Sequence, residues 1–476
     1  MLRFLLTGGF SSVFVAWFFL VVIRLPLLIH GLPMIQPELN WLLIGERLHR
    51  GFMIYTETWD SLSPLSAGVY ALIDILFGRS QTAYHIIAML LVMLQSAYFS
   101  MFLQRHELYT ERTHLPALLY CLCATLFYDF YTLSPVLLGL TFLLIGLNAL
   151  FTQLDRDDVD DEAFGIGFYL SMATLFYIPF GWFTGFAFVA LVLLSAVRLR
   201  KFLLLLFGFT LPLAILLLSF YLVNEYDAIY FNWIAVFWER YSVIYADFKT
   251  FIIILQPLGL LLVLAASQLI GGNTRFINYQ IRCQQAMFMW LLAAGVSLFF
   301  AGDFAPYVFL VFVPPVAFFG TYYFALVRKA WLGELVFWLL LVYIGFNNLG
   351  KFYLPASATL WNDTALIVKK NPEHYNFRQK RLLVIGQGLD EYKDNIPATP
   401  YLTWRLSRRH FENLDSYTTV IDLYNNFLQD PPEVIVDKHN IVPTLFKRLP
   451  ALGQEYSKGT DPNVYFRKSP VKTAKH

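Results

Sequence analysis

The sequence predicts an α-helical polytopic membrane protein, with about eleven spanning helices and a small soluble α/β domain at the C-terminus. Of its 476 residues, 58% are hydrophobic and 14% are charged, whereas an ordinary soluble domain has about 45–50% and 25%. The apolar residues also gather in long runs, and a run of about 20 is what the hydrocarbon core of a bilayer demands. We therefore expect a transmembrane domain at residues 1–354 and a soluble domain at residues 355–476.

The spanning segments are predicted from these runs. They lie near residues 10–30, 81–104, 114–129, 133–152, 164–179, 182–197, 202–223, 251–270, 286–301, 305–326 and 331–348. Residues 64–78 are apolar too, but this stretch is shorter than the roughly 17 residues of a span and contains Asp74, so we interpret it as a juxtamembrane helix. With this choice, the loops rich in Arg and Lys fall on the cytoplasmic side, as the positive-inside rule prefers.

Three larger segments then face outward: a first loop at residues 31–80, a second loop at residues 224–250, and the C-terminal domain. In that domain, RLLVIG at residues 381–386 and PEVIVD at residues 432–437 predict buried strands. Apolar spacing across residues 409–430 predicts a helix between them. We expect a multi-pass protein of the inner (cytoplasmic) membrane whose C-terminal domain, and whose function, lie on the outer or periplasmic side.

Charge and cysteine content narrow the function classes. The net charge of +2 gives no indication of a nucleic-acid partner. Cys121 and Cys123 lie inside an apolar run and Cys283 in a basic loop, which suggests neither a disulfide framework nor a metal cluster. The scattered histidines predict no metal site either, although a hard divalent cation held by carboxylates leaves no spacing signature and is compatible with the sequence.

Two carboxylates of the first outer loop are candidate catalytic residues. Glu38 follows Pro37 and begins a stretch in which Trp41, Leu42 and Gly45 recur at helical spacing. That spacing predicts a helix lying on the membrane surface with its apolar face down. The helix dipole would favour an ionised Glu38 aimed at a substrate head group, and Asp60 supplies a second acidic group. Each also has a simpler explanation, Glu38 as a solvated helix-end charge and Asp60 as a turn or cap residue.

The membrane part resembles the GT-C superfamily of polyprenyl-phosphate-sugar glycosyltransferases. QPELNWLLIGERLHRG at residues 36–51 is similar to the first outer loop of aminoarabinose and mannosyl transferases of this superfamily, and residues 58–78 are similar to their juxtamembrane segment ending in Leu-Phe-Gly. GDFAPYVFLVFVPPVAFFG at residues 302–320 looks like the family's late helix with its tyrosine. YFNWIAVFWERY at residues 230–241 stands where the family has its second outer loop.

The resemblance implies transfer of a sugar from a polyprenyl-phosphate donor to an outward-facing lipid or polymer acceptor. Glu38 would act as base or metal ligand, assisted by Asp60, and Arg79, Arg240 and Tyr307 would contact the substrate, with Arg79 or Arg240 near the phosphate. Two departures remove cations that could hold a phosphate: Ser63 precedes Pro64 where the family has a basic residue, and Asp303 stands where a lysine is common. Arg24 is a further outer-side cation that could replace them, or could only snorkel to the interface.

Other functions stay open at this stage. A catalytically degenerate GT-C-like scaffold or assembly subunit of a cell-envelope complex, with protein partners on its outer domain, fits the missing cations. Arg240 and Glu239 could also form an ordinary surface pair among interfacial aromatic residues. A transporter is disfavoured because we find no internal repeat of the kind that transporters show.

Overall fold

The computed structural model describes residues 11–155, 160–195, 199–239, 243–271, 276–353, 362–369 and 377–468. The chain forms two compact units. The first, here called the membrane unit, comprises Met1–Leu32, Gln81–Ser219 and Arg240–Ala365. The second, the mixed unit, comprises Pro33–Ser80, Phe220–Glu239 and Leu366–His476. Most of the first outer loop and part of the second therefore pack with the C-terminal residues.

Helices at all eleven predicted segments make up the membrane unit. They are α1 (Ser11–His30), α4 (Gln81–Arg105), α5 (Leu115–Cys123), α6 (Pro135–Asp155), α7 (Asp160–Phe176), α8 (Trp182–Leu194), α9 (Leu199–Leu222), α12 (Phe248–Gly271), α13 (Asn278–Phe299), α14 (Val313–Leu326) and α15 (Ala330–Tyr353). Short 3₁₀ turns at Tyr128–Tyr131, Ile178–Gly181 and Pro306–Phe312 connect or extend them. This polytopic helical architecture is the predicted one.

Seven helices within the described ranges are long and apolar enough to cross a membrane. They are α1, α4, α6, α9, α12, α15 and the combined segment Pro306–Leu326. The other four predicted spans coincide with α5, α7, α8 and α13, which fail on length or on mean hydropathy. Seven of the eleven predicted spans therefore meet this criterion of length and composition, and they identify a multi-pass membrane protein.

The mixed unit is built around a five-stranded sheet of order β4-β3-β5-β7-β6. Its strands are β3 (Arg381–Ile385), β4 (Ile396–Pro397), β5 (Val434–Asp437), β6 (Tyr456–Lys458) and β7 (Val464–Arg467). The pairs β3–β4 and β3–β5 are parallel, whereas β5–β7 and β6–β7 are antiparallel. A separate parallel pair, β1 (Val243–Ile244) with β2 (Asp303–Phe304), lies in the membrane unit. Both predicted C-terminal strands are present.

Short helices cover the sheet of the mixed unit. They are α16 (Trp404–Phe411), α17 (Tyr417–Gln429), α18 (Val442–Arg448) and α19 (Pro450–Glu455). The core contains Leu383, Ile385, Leu423, Phe427 and Ile435, which are almost completely buried. The predicted helix between the two strands is therefore real, but it is divided into α16 and α17 with a break at residues 412–416. The small α/β domain of the prediction has this sheet as its centre.

The first outer loop contributes two helices, α2 (Gln36–His49) and α3 (Pro64–Phe77), to the mixed unit. The indole of Trp41 stacks on the ring of Tyr70 with centroids 5.8 Å apart. A Cβ on Gly45 would lie 2.7 Å from the backbone oxygen of Tyr70, so only glycine permits this approach. The face of α2 that we expected to lie on the membrane is instead covered by α3. That prediction was wrong because periodicity marks a buried face but does not say what buries it.

Replacing Gly45 with alanine tests this close approach. The clashing atoms belong to the backbone of Tyr70. We therefore expect Gly45→Ala to lower the free energy of unfolding by about 1–3 kcal/mol, as overpacking does, and to lower the melting temperature of the purified protein. Gly68→Ala is the matched control, since nothing lies within 4 Å of its added Cβ and a helix gains up to about 1 kcal/mol from such a change. Equal melting temperatures for the two variants would contradict the packing.

Two segments of the mixed unit expose apolar side chains in the way interfacial helices do. On α3, Leu72, Ile75, Leu76 and Phe77 are each more than half exposed. The second-loop segment consists of α10 (Tyr226–Ile229), a π-helical turn at Tyr230–Ile234 and α11 (Ala235–Trp238). It exposes Tyr230, Phe231 and Trp238, while Trp233 is buried and donates from Nε1 to the Ser63 hydroxyl at 3.3 Å. Such amphipathic segments bury their apolar face in the head-group region.

Candidate functional site

Glu38 lies in the first turn of α2. Pro37 precedes it inside the helix, and Ile35 at the N-cap is extended with no side-chain cap. The Glu38 side chain is 1% exposed. The unsatisfied N–H groups of a first helical turn favour a negative charge there. Glu38 is therefore a buried carboxylate at a helix N-terminus, and not a solvated helix-end charge.

Asp60 is held close to the same helix by Asn40. The Asn40 side-chain nitrogen donates to Oδ2 of Asp60 at 2.8 Å, and the backbone N–H of Leu62 donates to Oδ1 at 2.7 Å. Burial raises the pKa of the Asp60 carboxyl, and these hydrogen bonds together with the charge of Arg405 oppose that shift in part. Asp60, the second predicted carboxylate, is therefore bound to α2, the helix that contains Glu38, and the residue that binds it is Asn40.

We expect Asp60→Asn to preserve the fold and to change its pH dependence. The new side chain can still accept from Leu62, and its NH₂ can donate to Asn40 after an amide flip, because Oδ1 of Asn40 has no hydrogen-bond partner among the described residues. The folded protein holds the Asp60 proton more tightly than the unfolded chain does, so its contribution to stability is full at acidic pH. That contribution is lost as pH rises through the folded-state pKa.

Thermal unfolding measured from acidic to neutral pH checks this expectation. The wild type should lose stability relative to Asp60→Asn as pH rises. Asp60→Leu is the control, since it leaves the donors of Asn40 and Leu62 buried without acceptors, and we expect it to destabilise the protein by about 1–3 kcal/mol per lost partner. If the stability of Asp60→Asn depends on pH as that of the wild type does, then Asp60 does not cause the loss of stability as pH rises.

Arg405, in α16, is a cation near Asp60 that the sequence did not indicate. Its Nη2 donates to the carbonyl of Val236 at 3.1 Å, and its charge opposes the burial-induced rise of the Asp60 pKa. Arg409 of the same helix donates to the carbonyl of Phe231 at 3.2 Å and forms an ion pair with Glu239. Two arginines of α16 therefore attach the second-loop segment within the mixed unit. Glu239 pairs with Arg409, and the pair with Arg240 that the sequence suggested falls outside the described residues.

The outer-loop segment that carries Asp60 is fixed by the residues around α16. The backbone N–H of Trp59 donates to the carbonyl of Pro400 at 2.8 Å. The Trp59 indole makes edge contacts with the rings of Tyr401 at 5.1 Å and His410 at 4.6 Å. Because its neighbours are fixed in this way, the Asp60 carboxylate has a defined position and not the freedom of a surface turn.

Arg79 is engaged by the backbone of the C-terminal segment. Its Nη1 donates to the carbonyl of Asn395 at 3.0 Å and its Nη2 to that of Tyr392 at 2.5 Å. A carboxylate oxygen of Glu46 lies 3.7 Å away, and burial lowers the pKa of the guanidinium. These contacts favour a structural role, so its predicted contact with a substrate phosphate has no support from the geometry.

The remaining predicted substrate-binding residues are Arg240 and Tyr307. Arg240 lies outside the described residues. Tyr307 belongs to the membrane unit, where it is buried and its backbone N–H donates to Oδ2 of Asp129 at 2.9 Å. Nearby, the hydroxyl of Tyr128 donates to Oδ2 of Asp363 at 2.6 Å. The membrane unit therefore has buried carboxylates of its own, Asp129 and Asp363, which no sequence motif marked.

Comparisons with known proteins decide the family. The model of a family of unknown function, DUF6427, matches residues 63–353, more than half of the chain. The chain belongs to this family. A comparison with curated proteins finds no match.

Among solved structures, this DUF6427 chain is similar to ArnT from Cupriavidus metallidurans bound to undecaprenyl phosphate, with a TM-score of 0.50, 12% identity and 96% of each chain covered. It also matches the archaeal oligosaccharyltransferase AglB from Archaeoglobus fulgidus in complex with an inhibitory peptide and a dolichol-phosphate, with a TM-score of 0.46, 11% identity, and 97% of this chain and 75% of that chain covered. The likeness to ArnT shows that the chain has a GT-C-like fold, as its outer-loop motifs predicted.

The donor chemistry of the DUF6427 site is that of carboxylates. Glu38 and Asp60 offer oxygen atoms, the ligand type that hard divalent cations prefer. In the described ranges, no group of three or more His, Cys, Asp or Glu side chains is arranged to hold a metal ion. Each carboxylate can accept a proton, and each offers oxygen atoms to an ion that substrate oxygens also bind.

Proposed function

We propose that this DUF6427 protein is a membrane glycosyltransferase that moves a sugar from a polyprenyl-phosphate donor to an outward-facing lipid or polymer acceptor. It would act in the inner (cytoplasmic) membrane, with residues 355–476 on the outer or periplasmic side of the transmembrane domain at residues 1–354. The acceptor and the donor lipid would both reach the protein from the membrane.

The placement of Glu38 carries this proposal. In a chain with a GT-C-like fold, the first-loop carboxylate stands buried at the N-terminus of α2. A second carboxylate, Asp60, is tied to that helix by Asn40. Solvated loop residues have no reason to be fixed in this way, whereas a carboxylate that must meet a reacting hydroxyl needs a defined position.

In this mechanism Glu38 accepts the proton of the acceptor hydroxyl as that oxygen attacks the sugar carbon bound to phosphate. The bond from that carbon to the phosphate oxygen breaks, and polyprenyl phosphate leaves as an anion that needs no proton. Asp60 assists by keeping Asn40 and the loop after Trp59 in place and by adding negative charge beside α2. If a divalent cation takes part, Glu38 is the residue that would hold it.

The alternative is a catalytically degenerate GT-C-like scaffold or assembly subunit of a cell-envelope complex. Two features favour it. Ser63 replaces a basic residue before Pro64, and its hydroxyl accepts from Trp233, while the N–H groups of Arg79 are directed at two backbone carbonyls. The mixed unit would then bind envelope proteins in place of a substrate.

An assay in liposomes distinguishes the two functions. The full chain is reconstituted with sugar-loaded polyprenyl phosphate and total membrane lipid as acceptor, and released polyprenyl phosphate and glycosylated lipid are measured by mass spectrometry. Transfer above that of empty liposomes supports the enzyme. Absence of both products across pentosyl and hexosyl donors, together with stable co-purification of an envelope protein by the full chain, supports the scaffold.

A further inference from the structure

Arg24 is a buried cation within the membrane unit. It lies on α1, 1% exposed, and its Nη2 donates to the carbonyl of Ala124 at 2.9 Å. The guanidinium also lies over the ring of Tyr131, 4.5 Å from the centroid. Its Nε and Nη1 have no hydrogen-bond partner in the part of the chain that the structure describes. The sequence left open whether Arg24 snorkels to the interface, and its burial excludes that.

The hydroxyl of Tyr131 is a second buried polar group at the same place. Tyr131 is 0% exposed, and within the described ranges its oxygen has no hydrogen-bond partner. The guanidinium of Arg24 lies over the ring that carries this hydroxyl. The Arg24 nitrogens and the Tyr131 oxygen are therefore close together, between α1 and the 3₁₀ turn Tyr128–Tyr131. Beside it, the Asn348 side chain of α15 donates to the carbonyl of Thr125 at 2.7 Å, which holds the neighbouring peptide.

Such an arrangement is unfavourable unless something binds to it. A buried hydrogen-bonding group without a partner costs about 1–3 kcal/mol, and more when it is charged. Within the described residues, no carboxylate oxygen lies within 4 Å of the Arg24 nitrogens. Ionisable residues inside spanning helices are expensive and generally mark a functional site. A water molecule could satisfy the N–H groups, but it would not neutralise the guanidinium.

The available groups define the ligand's chemistry. Arg24 offers N–H donors with a positive charge and Tyr131 offers an O–H donor, which is the pattern that recognises an oxyanion, above all a phosphate. Arg24 lies six residues before the end of α1 at His30, or about 9 Å along the helix axis. Leu25 and Ile29, on another side of α1, are exposed apolar residues, so the helix that carries Arg24 also has a surface suited to lipid chains.

We propose that Arg24 and Tyr131 form a binding site for a phosphate group, that of an anionic lipid. The phosphate oxygens accept from Nε and Nη1 of Arg24 and from the Tyr131 hydroxyl, and Ala124 keeps Nη2 in place. Binding there requires neither Glu38 nor an acceptor, so the site exists whether the chain is a transferase or a scaffold. If the lipid is polyprenyl phosphate, Arg24 replaces the missing basic residue before Pro64.

Three probes and four variants test the site. Binding of undecaprenyl phosphate, phosphatidylglycerol and inorganic phosphate to the full chain is measured by native mass spectrometry and by thermal stabilisation. We expect Arg24→Gln to weaken lipid binding at least tenfold, the loss typical of a hydrogen bond to a charged group. Arg105→Gln, which removes an exposed cation at the end of α4, should bind as the wild type does, and so should Arg50→Gln, which removes an exposed cation of α2.

Tyr131→Phe keeps the test independent of folding. The substitution removes a hydroxyl that makes no hydrogen bond with any described residue, so the protein should be at least as stable as the wild type, while its lipid affinity should fall about tenfold. Preference for undecaprenyl phosphate over phosphatidylglycerol identifies the carrier as ligand, and equal binding identifies a general phospholipid site. Equal affinity of wild type, Arg24→Gln and Tyr131→Phe for all three probes, or binding of inorganic phosphate alone, overturns the proposal.

Discussion

Replacing Arg47 with alanine is expected to destabilise the mixed unit by about 3–5 kcal/mol, because several buried oxygens that it contacts lose their donor, at about 1–3 kcal/mol each. Asp430, one of its partners, keeps an ion pair with Arg381. Arg47 lies on α2 and is 2% exposed. Its guanidinium donates to Thr58 Oγ1 at 2.9 Å, to the carbonyls of Pro397 at 2.9 Å and Glu57 at 2.7 Å, and to Asp430 Oδ2 at 3.1 Å. Alanine would leave several buried acceptors without a donor.

The matched control for this prediction is Arg50→Ala, three residues later on the chain. The Arg50 side chain is 43% exposed and pairs with Glu46, and pairs of this kind contribute about 0–1 kcal/mol. Hydrogen exchange of the amides in β3 and β5 reports the stability of the mixed unit directly. Similar protection in the two variants would mean that Arg47 does not join the outer loop to the C-terminal residues.

Arg47 also shows where sequence reasoning reached its limit. Helical periodicity placed Trp41, Leu42 and Gly45 on one face. Arg47 stands outside that face, so the pattern gave no sign that its side chain is buried. Its partners could not have been found, because Pro397 and Asp430 are 350 and 383 residues away along the chain. The assembly of the outer loops with the C-terminal residues depends on such distant pairs, and no local pattern encodes them.

The membrane part was more accessible from sequence for a physical reason. Long apolar runs have one stable environment, so their composition predicts multi-pass helices directly. Composition predicts a helix less well when that helix is stabilised by contacts with other parts of the protein. Residues 114–129 looked like a span, yet α5 has nine residues that are all buried, and composition cannot distinguish a short core helix from a spanning one.

In the candidate site, too, the sequence indicated some features and did not indicate others. Glu38 was identified because its position in the first outer loop resembles a family motif, and the N-terminus of α2 is where the helical pattern begins. Asp60 was interpreted either as a turn residue or as a site residue, and its bond to the Leu62 amide is indeed a local turn contact. Its bond to Asn40 and its proximity to Arg405 arise from tertiary packing, which the sequence did not reveal.

Glu38→Gln is expected to reduce sugar transfer by about 10²–10⁴-fold, the usual contribution of a general base. Glutamine has nearly the same shape as glutamate, so α2 should still form and the protein should still be purified as a folded species. The rate is measured in liposomes as release of polyprenyl phosphate, with donor concentration varied. A base that acts only on the reacting hydroxyl should affect kcat far more than KM.

Glu46→Gln is the control for Glu38→Gln, because it removes a carboxylate from the same helix at a partly exposed ion pair with Arg50. It should retain activity within a few-fold of the wild type, whereas Glu38→Asp should recover part of the activity lost in Glu38→Gln. If Glu38→Gln and Glu46→Gln lose the same amount of transfer activity, the reaction needs the total negative charge of α2 and not a base at the position of Glu38. Wild-type activity in Glu38→Gln would remove Glu38 from the chemistry, since no transferase of this proposed mechanism can act without its base.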